Sequence, residues 1–144
     1  MDWRNELSSI VNGRARMTRA EQENADYENF LLSVAKPALE EVAEELRSLG
    51  REVSVRIAPA SVRLQVRSGE YDEIVFSVMK KYVQNGILPS AEIRVLRGTG
   101  PLNKYEALIR EGTANYRIEE VTRDDVIACF IKYYRMAVND GPRV

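Results

Sequence analysis

A chain of 144 residues with 44% apolar and 30% charged side chains is long enough for one domain with a buried core, and lies far from the composition of disordered chains. Its formal net charge is −1 and its pI about 5.7, an overall balance that argues against general affinity for nucleic acid. It has no histidine, which removes the commonest general base, every Ser–His or Cys–His nucleophile pair and the commonest transition-metal ligand.

The single cysteine, Cys129, cannot close an internal disulfide. The first residues, MDWRNELSSI, lack the apolar stretch of a secretory signal. No apolar run approaches the roughly 18 residues of a membrane span. A cytoplasmic protein with no membrane partner is expected. The near-zero net charge hides a split. Residues 1–49 hold six basic and ten acidic side chains, a net of −4, whereas residues 50–118 hold eleven and seven, a net of +4. Such a split marks either a binding face or two parts of a fold that attract each other.

In chain order, residues 2–11 place Trp3, Leu7, Ile10 and Val11 at helical spacing, with Asn12-Gly13 as the expected stop. The stripe is too narrow for a membrane anchor, so this helix is expected to pack on its own domain or on a partner subunit. Thr18-Arg19-Ala20-Glu21 fits a capping box. From there Tyr27, Phe30, Leu31, Val34, Ala38, Val42, Leu46 and Leu49 recur at steps of three and four up to Gly50, which makes residues 18–49 helical. Pro37 falls inside, where it removes one backbone bond and clashes with the preceding turn, so a kink or break is expected near Ala35 and Lys36.

After Gly50 the period drops to 2, as strands require. Strands are expected over 52–58, 61–67, 72–83, 90–97, 104–110 and 114–121, so that residues 52–121 form the sheet. The links are short and rich in Gly, Pro and Asn, which favours an antiparallel meander of about six strands, because parallel pairs need long crossovers. Residues 122–138 then return to helical spacing. The expected fold is a single α+β domain over 1–144, with N-terminal helices, the meander, and a C-terminal helix packed on one sheet face.

Four carboxylates, Glu119, Glu120, Asp124 and Asp125, crowd the start of that last helix. With Thr122 as N-cap, Asp124 and Asp125 occupy the first turn, where negative charge meets unpaired N–H groups. Glu119 and Glu120 are consecutive on the expected sixth strand and point to opposite faces, so no metal site is expected. RGTGPLNK at 97–104 has glycines but neither the order nor the following helix of a phosphate loop, and reads as a hairpin turn. Cys129 sits among Val126, Phe130, Tyr133 and Ala137 and reads as a small buried hydrophobe. No catalytic residue, cofactor or metal is expected, and the chain is not expected to be an enzyme.

Two surfaces remain. Strand parity sends Arg56, Arg63, Arg67, Arg94, Lys104, Arg110 and Arg117 to the outer sheet face, among Glu73, Glu92, Glu106 and Glu119. Arginine forks bind phosphate, but base-stacking aromatics are sparse there, since only Tyr71 is expected outward. On the helices, Trp3 and Leu7 at one end and the adjacent Tyr133 and Tyr134 at the other are candidate interface residues, because neighbouring tyrosines on one helix are not expected to share the core. The favoured expectation is a non-enzymatic protein-interaction or adaptor module that acts through helix surfaces and self-associates. The alternative is a nucleic-acid-binding module that uses the basic sheet face. No stretch carries a motif that assigns a family.

Overall fold

The computed structural model describes residues 2–15, 18–84, 86–95 and 103–139. The described chain runs α1 (Trp3–Ala15), α2 (Arg19–Phe30), a π-helical turn (Leu31–Ala35), α3 (Lys36–Ser48), β1 (Glu52–Ala58), β2 (Ser61–Ser68), β3 (Tyr71–Val83), β4 (Gly86–Val95), β5 (Asn103–Leu108), a 3-10 turn (Ile118–Glu120) and α4 (Arg123–Asn139). The five strands lie in sequence order and every neighbour is antiparallel. The α+β meander expected from period and link length is therefore present, with five strands rather than six.

Register turns the alternating sequence into a core. Three apolar rows cross the sheet: Val53, Val66, Ile74 and Val95; then Val55, Leu64, Phe76, Ile93 and Tyr105; then Ile57, Val62, Val78, Ala91 and Ala107. Helices α2, α3 and α4 cover this face. Phe76 meets Phe130 of α4 edge to face, ring centroids 5.5 Å apart at 83°, a geometry that aromatic quadrupoles favour. Tyr27 of α2 is fully buried, and its hydroxyl donates to Ala60 O at 2.8 Å, tying the helix layer to the β1–β2 turn.

The start of α2 is capped as its sequence predicts, with Glu21 N–H donating to Thr18 Oγ1 at 3.2 Å. The expected break before Pro37 takes the form of the π-helical turn. Pro37 has no N–H for the Ser33 carbonyl, and its ring would collide with that group. The widened turn, in which Lys36 N–H reaches back to Leu31 O, lets α2 and α3 continue through it.

Four departures from the expected elements have physical causes. Helix α1 runs through Asn12-Gly13 to Ala15, because one glycine lowers helix propensity by only about 1 kcal/mol and does not force a stop. Strand β4 begins at Gly86 and contains Pro89. Pro89 O accepts Ile109 N–H beyond the last β4–β5 pair, Ser90 with Leu108, so the missing proline donor falls where no strand needs it.

The sixth strand, expected at 114–121, does not form. Its two buried aliphatic residues, Ile118 and Val121, are three apart rather than two, and Arg117 N–H donates to Glu120 Oε2 at 2.7 Å, closing a turn. Lastly, β3 carries a bulge. Val66 pairs with Ile74 and Arg67 with Asp72, which leaves Glu73 as the extra residue. The RGTGPLNK turn lies largely outside the described residues, as do residues 140–144.

Candidate interaction surfaces

Helix α1 stands apart from the domain. Trp3, Leu7, Ile10 and Val11 are 58%, 52%, 59% and 63% exposed, so the stripe, expected to pack on its own domain or on a partner subunit, is left more than half open by the described residues of this chain. Arg4 lies over the Trp3 ring at 5.2 Å and leaves the rest of the stripe open. Packing against the domain would have buried these side chains at roughly 1.5–3 kcal/mol each.

At the other end of the chain both candidate tyrosines turn inward. Tyr133 is buried and packs on Tyr105 of β5 at 5.8 Å. Tyr134 is half-buried and stacks on Phe130 at 5.3 Å, with its hydroxyl on Glu73. The two neighbours share the core because α4 lies over the sheet, one ring reaching toward β5 and the other toward the β3 bulge. What α4 shows outward is Ala128, Ile131, Lys132, Arg135 and Val138. A shallow apolar depression of about 560 Å³ lies on this side, lined by Ala128, Ile131, Lys132, Arg135, Met136 and Asn139. No single signal in the sequence separated this outer stripe from the inner one, since α4 is apolar over much of its circumference.

The outer sheet face keeps five of the seven expected bases. Arg67 pairs with Asp72 at 3.2 Å, and Asp72 also accepts from Gln65 Nε2 at 2.8 Å. Glu92 holds both Arg94, at 3.1 Å, and Lys104, at 3.8 Å. Arg56 and Arg63 differ, being Cα partners across β1 and β2. Arg63 Nε reaches only Ser77 Oγ, at 3.4 Å, and Arg56 has no carboxylate partner among the described residues. Their row across the sheet continues through Ser77, Glu92 and Glu106. Two bases expected here are elsewhere, Arg110 because β5 ends at Leu108 and Arg117 because the sixth strand is absent. Arg110 lies over Tyr116 at 5.1 Å and donates to Glu120 O at 3.4 Å, while Arg117 sits beside Glu119 at 4.0 Å on the segment before α4.

Glu73, expected on the outer face, is swung by the bulge to the helix side. There Arg51 Nε and the Tyr134 hydroxyl both donate to Glu73 Oε1, each at 2.8 Å. The carboxylate hydrogen bond raises the Arg51 pKa. Burial first, and the Glu73 bond second, raise that of Tyr134. This triad closes the sheet end beneath α4 and was invisible to strand parity.

The four carboxylates before α4 do not converge. Asp125 N–H donates to Thr122 Oγ1 at 3.2 Å, and Thr122 N–H donates to Asp125 Oδ2 at 2.9 Å, the reciprocal cap that this spacing predicts. Among the described residues no group of carboxylates and cysteine is placed to hold a metal. Burial pushes the Cys129 thiol up to about 11, opposite to the direction that activates a nucleophile. A groove of about 600 Å³ between α2, the β3–β4 end and Tyr116 carries Arg19, Glu23 and Asp26. Its charges are largely paired, Arg19 with Glu23 at 3.0 Å and Gln22 with Asp26 at 2.8 Å. No described helix is long and apolar enough to cross a membrane.

No family model and no solved structure matches the chain. It is 24% identical over 147 aligned positions to the high-affinity choline transport protein of Escherichia coli strain K12, and equally to that of Escherichia coli O157:H7. Each alignment covers 96% of this chain and 20% of the relative. The chain thus spans about a fifth of the length of the curated relatives it matches.

Proposed function

We propose that this chain is a non-enzymatic protein-interaction module of the cytoplasm that works through its helix surfaces and self-associates. One observation carries the reading: α1 presents a regular apolar stripe, Trp3, Leu7, Ile10 and Val11, that is more than half exposed at every position. A free helix of 13 residues is marginal in water, and laying such a stripe into a groove is a common mode of helix recognition. The outward stripe of α4, with Ile131 and Val138 each 47% exposed, is a surface of matching character. The likeness to a fifth of a choline transport protein supports an accessory role, in which the module makes contacts for a transport protein. Nucleic-acid binding on the sheet face draws its support from Arg56 and Arg63, because Arg67, Arg94 and Lys104 are already paired.

Trp3 is the only tryptophan, so its fluorescence reports directly on α1. With rising concentration, light scattering should give a mass above the 16.4 kDa of one chain, and Trp3 emission should shift to the blue as the stripe leaves water. Both changes should be lost in Leu7→Asp/Ile10→Asp. A chain that stays monomeric with a solvent-like Trp3 into the hundreds of micromolar removes self-association; a variant that behaves like the parent removes α1 from it.

A further inference from the structure

The charge split in the sequence becomes two self-repelling patches of opposite sign on opposite sides of the fold. The first is Arg56 with Arg63, directly across from each other on β1 and β2. Like charges placed so weaken a strand pair, and three other bases of that face, Arg67, Arg94 and Lys104, each have a carboxylate, while the exposed Lys81 lies farther along β3. Their neighbours on this face are Ser54, Ala58, Ser61, Gln65, Val75, Ser77 and Met79, none of them charged.

The second patch is the solvent side of α3, where Glu40, Glu41, Glu44 and Glu45 are all exposed. Glu40 with Glu44, and Glu41 with Glu45, are like-charged pairs at i,i+4, which weaken a helix by a few tenths of a kcal/mol. Only Glu41 is ion-paired among the described residues, with Arg123 at 3.5 Å. The nearby Arg47 is turned to Val53 O at 2.8 Å. Helix α3 packs on the apolar side of β1, the side of Val53 and Val55, so the glutamates face away from the two arginines of the same chain. Neither patch can neutralise the other within one molecule.

We infer that the Arg56–Arg63 pair is a docking site for the acidic face of α3 on a second copy of this chain, so that copies associate head to tail. Planar guanidinium forks donate to carboxylates in bidentate fashion, and carboxylates at successive turns of one helix face can meet both forks. The contact joins two different surfaces, so it propagates or closes into a ring rather than pairing two copies symmetrically. It is separate from the α1 stripe and does not depend on it. Salt tells the two apart, since charge contacts at an exposed surface weaken as the Debye length falls below about 10 Å near 0.1 M, whereas apolar docking does not.

The test uses sedimentation velocity on the full chain carrying Leu7→Asp/Ile10→Asp, which removes the α1 stripe, at roughly 20 and 300 mM salt, on either side of that screening range. Association at low salt that disperses at high salt is expected. Adding Arg56→Glu/Arg63→Glu, or separately Glu40→Lys/Glu41→Lys/Glu44→Lys/Glu45→Lys, should weaken it about tenfold or more, since each version then meets itself with like charge. Mixing the two versions should restore association, because the glutamate face of the first still fits the arginine face of the second, and the reversed faces fit each other. Arg56→Gln/Arg63→Gln removes charge without reversing it and should also weaken association, and circular dichroism confirms that each version is folded.

Equal association of both reversed versions, or a mixture that stays monomeric, overturns the assignment. So does a chain that never self-associates but binds single-stranded oligonucleotide through Arg56 and Arg63, which would give the patch to phosphate.

Discussion

Tyr134 and Glu73, 61 positions apart in the chain, meet where the hydroxyl donates to Glu73 Oε1 at 2.8 Å. The same oxygen takes Arg51 Nε at 2.8 Å, and the Glu73 side chain is 15% exposed. A carboxylate so covered depends on both donors, because hydrogen bonds to charged groups contribute about 1.5–3 kcal/mol. Tyr134→Phe keeps the ring stacked on Phe130 and deletes only the donor. It should lower unfolding stability by about 1–2 kcal/mol in urea, at the low end because Arg51 remains. An unchanged midpoint would show that Arg51 and water satisfy Glu73 without the tyrosine.

That contact also marks the limit of what the sequence made legible. Alternation placed the apolar rows correctly because a pleated strand has a period of 2, and Val62, Leu64 and Val66 obey it. One inserted residue, Glu73, breaks the count, and no residue type announces a bulge. Tyr116 and Ile118 are two apart, as in a strand, whereas Ile118 and Val121 are three apart, as in a helical turn, so the segment reads either way until Glu120 closes it. Tyr133 and Tyr134 share the core because α4 is cradled on two sides, a tertiary fact that one-helix geometry lacks. The stripe of α1 was plain in the sequence. What could not be read was that the described residues leave it more than half exposed, since burial depends on where a helix lies and not only on its pattern.

Thr122 and Asp125 close the start of α4 by exchanging two backbone donors, at 2.9 and 3.2 Å. Thr122→Ala should cost about 1 kcal/mol, as loss of a side-chain cap does. Asp125→Ala should cost a similar amount, and the double variant should cost less than the sum, because either change breaks the same reciprocal pair. Glu119→Gln, which takes no part in the cap, should leave the midpoint within about 0.5 kcal/mol. Full additivity in the double variant would mean that the two residues act on the helix independently.

The buried hydroxyls and the thiol set how the fold responds to alkali. Burial raises the pKa of Tyr27, Tyr116, Tyr133 and Tyr134 above the ordinary 10.0, and that of Cys129 from 9.0 to about 11. Each group holds its proton more tightly folded than unfolded. The stability this supplies is complete below the unfolded pKa and is lost as pH rises through the folded value. For Cys129 the window runs from about 9 to about 11. The loss across it is about 2–3 kcal/mol, at 1.36 kcal/mol per pH unit. Cys129→Ala removes that component and leaves the tyrosines, so the stability difference between parent and variant should shrink by about that amount between pH 8 and 11. A difference that stays constant over this range would mean that the thiol ionises as readily in the folded protein as in the unfolded chain, and that α4 opens around it.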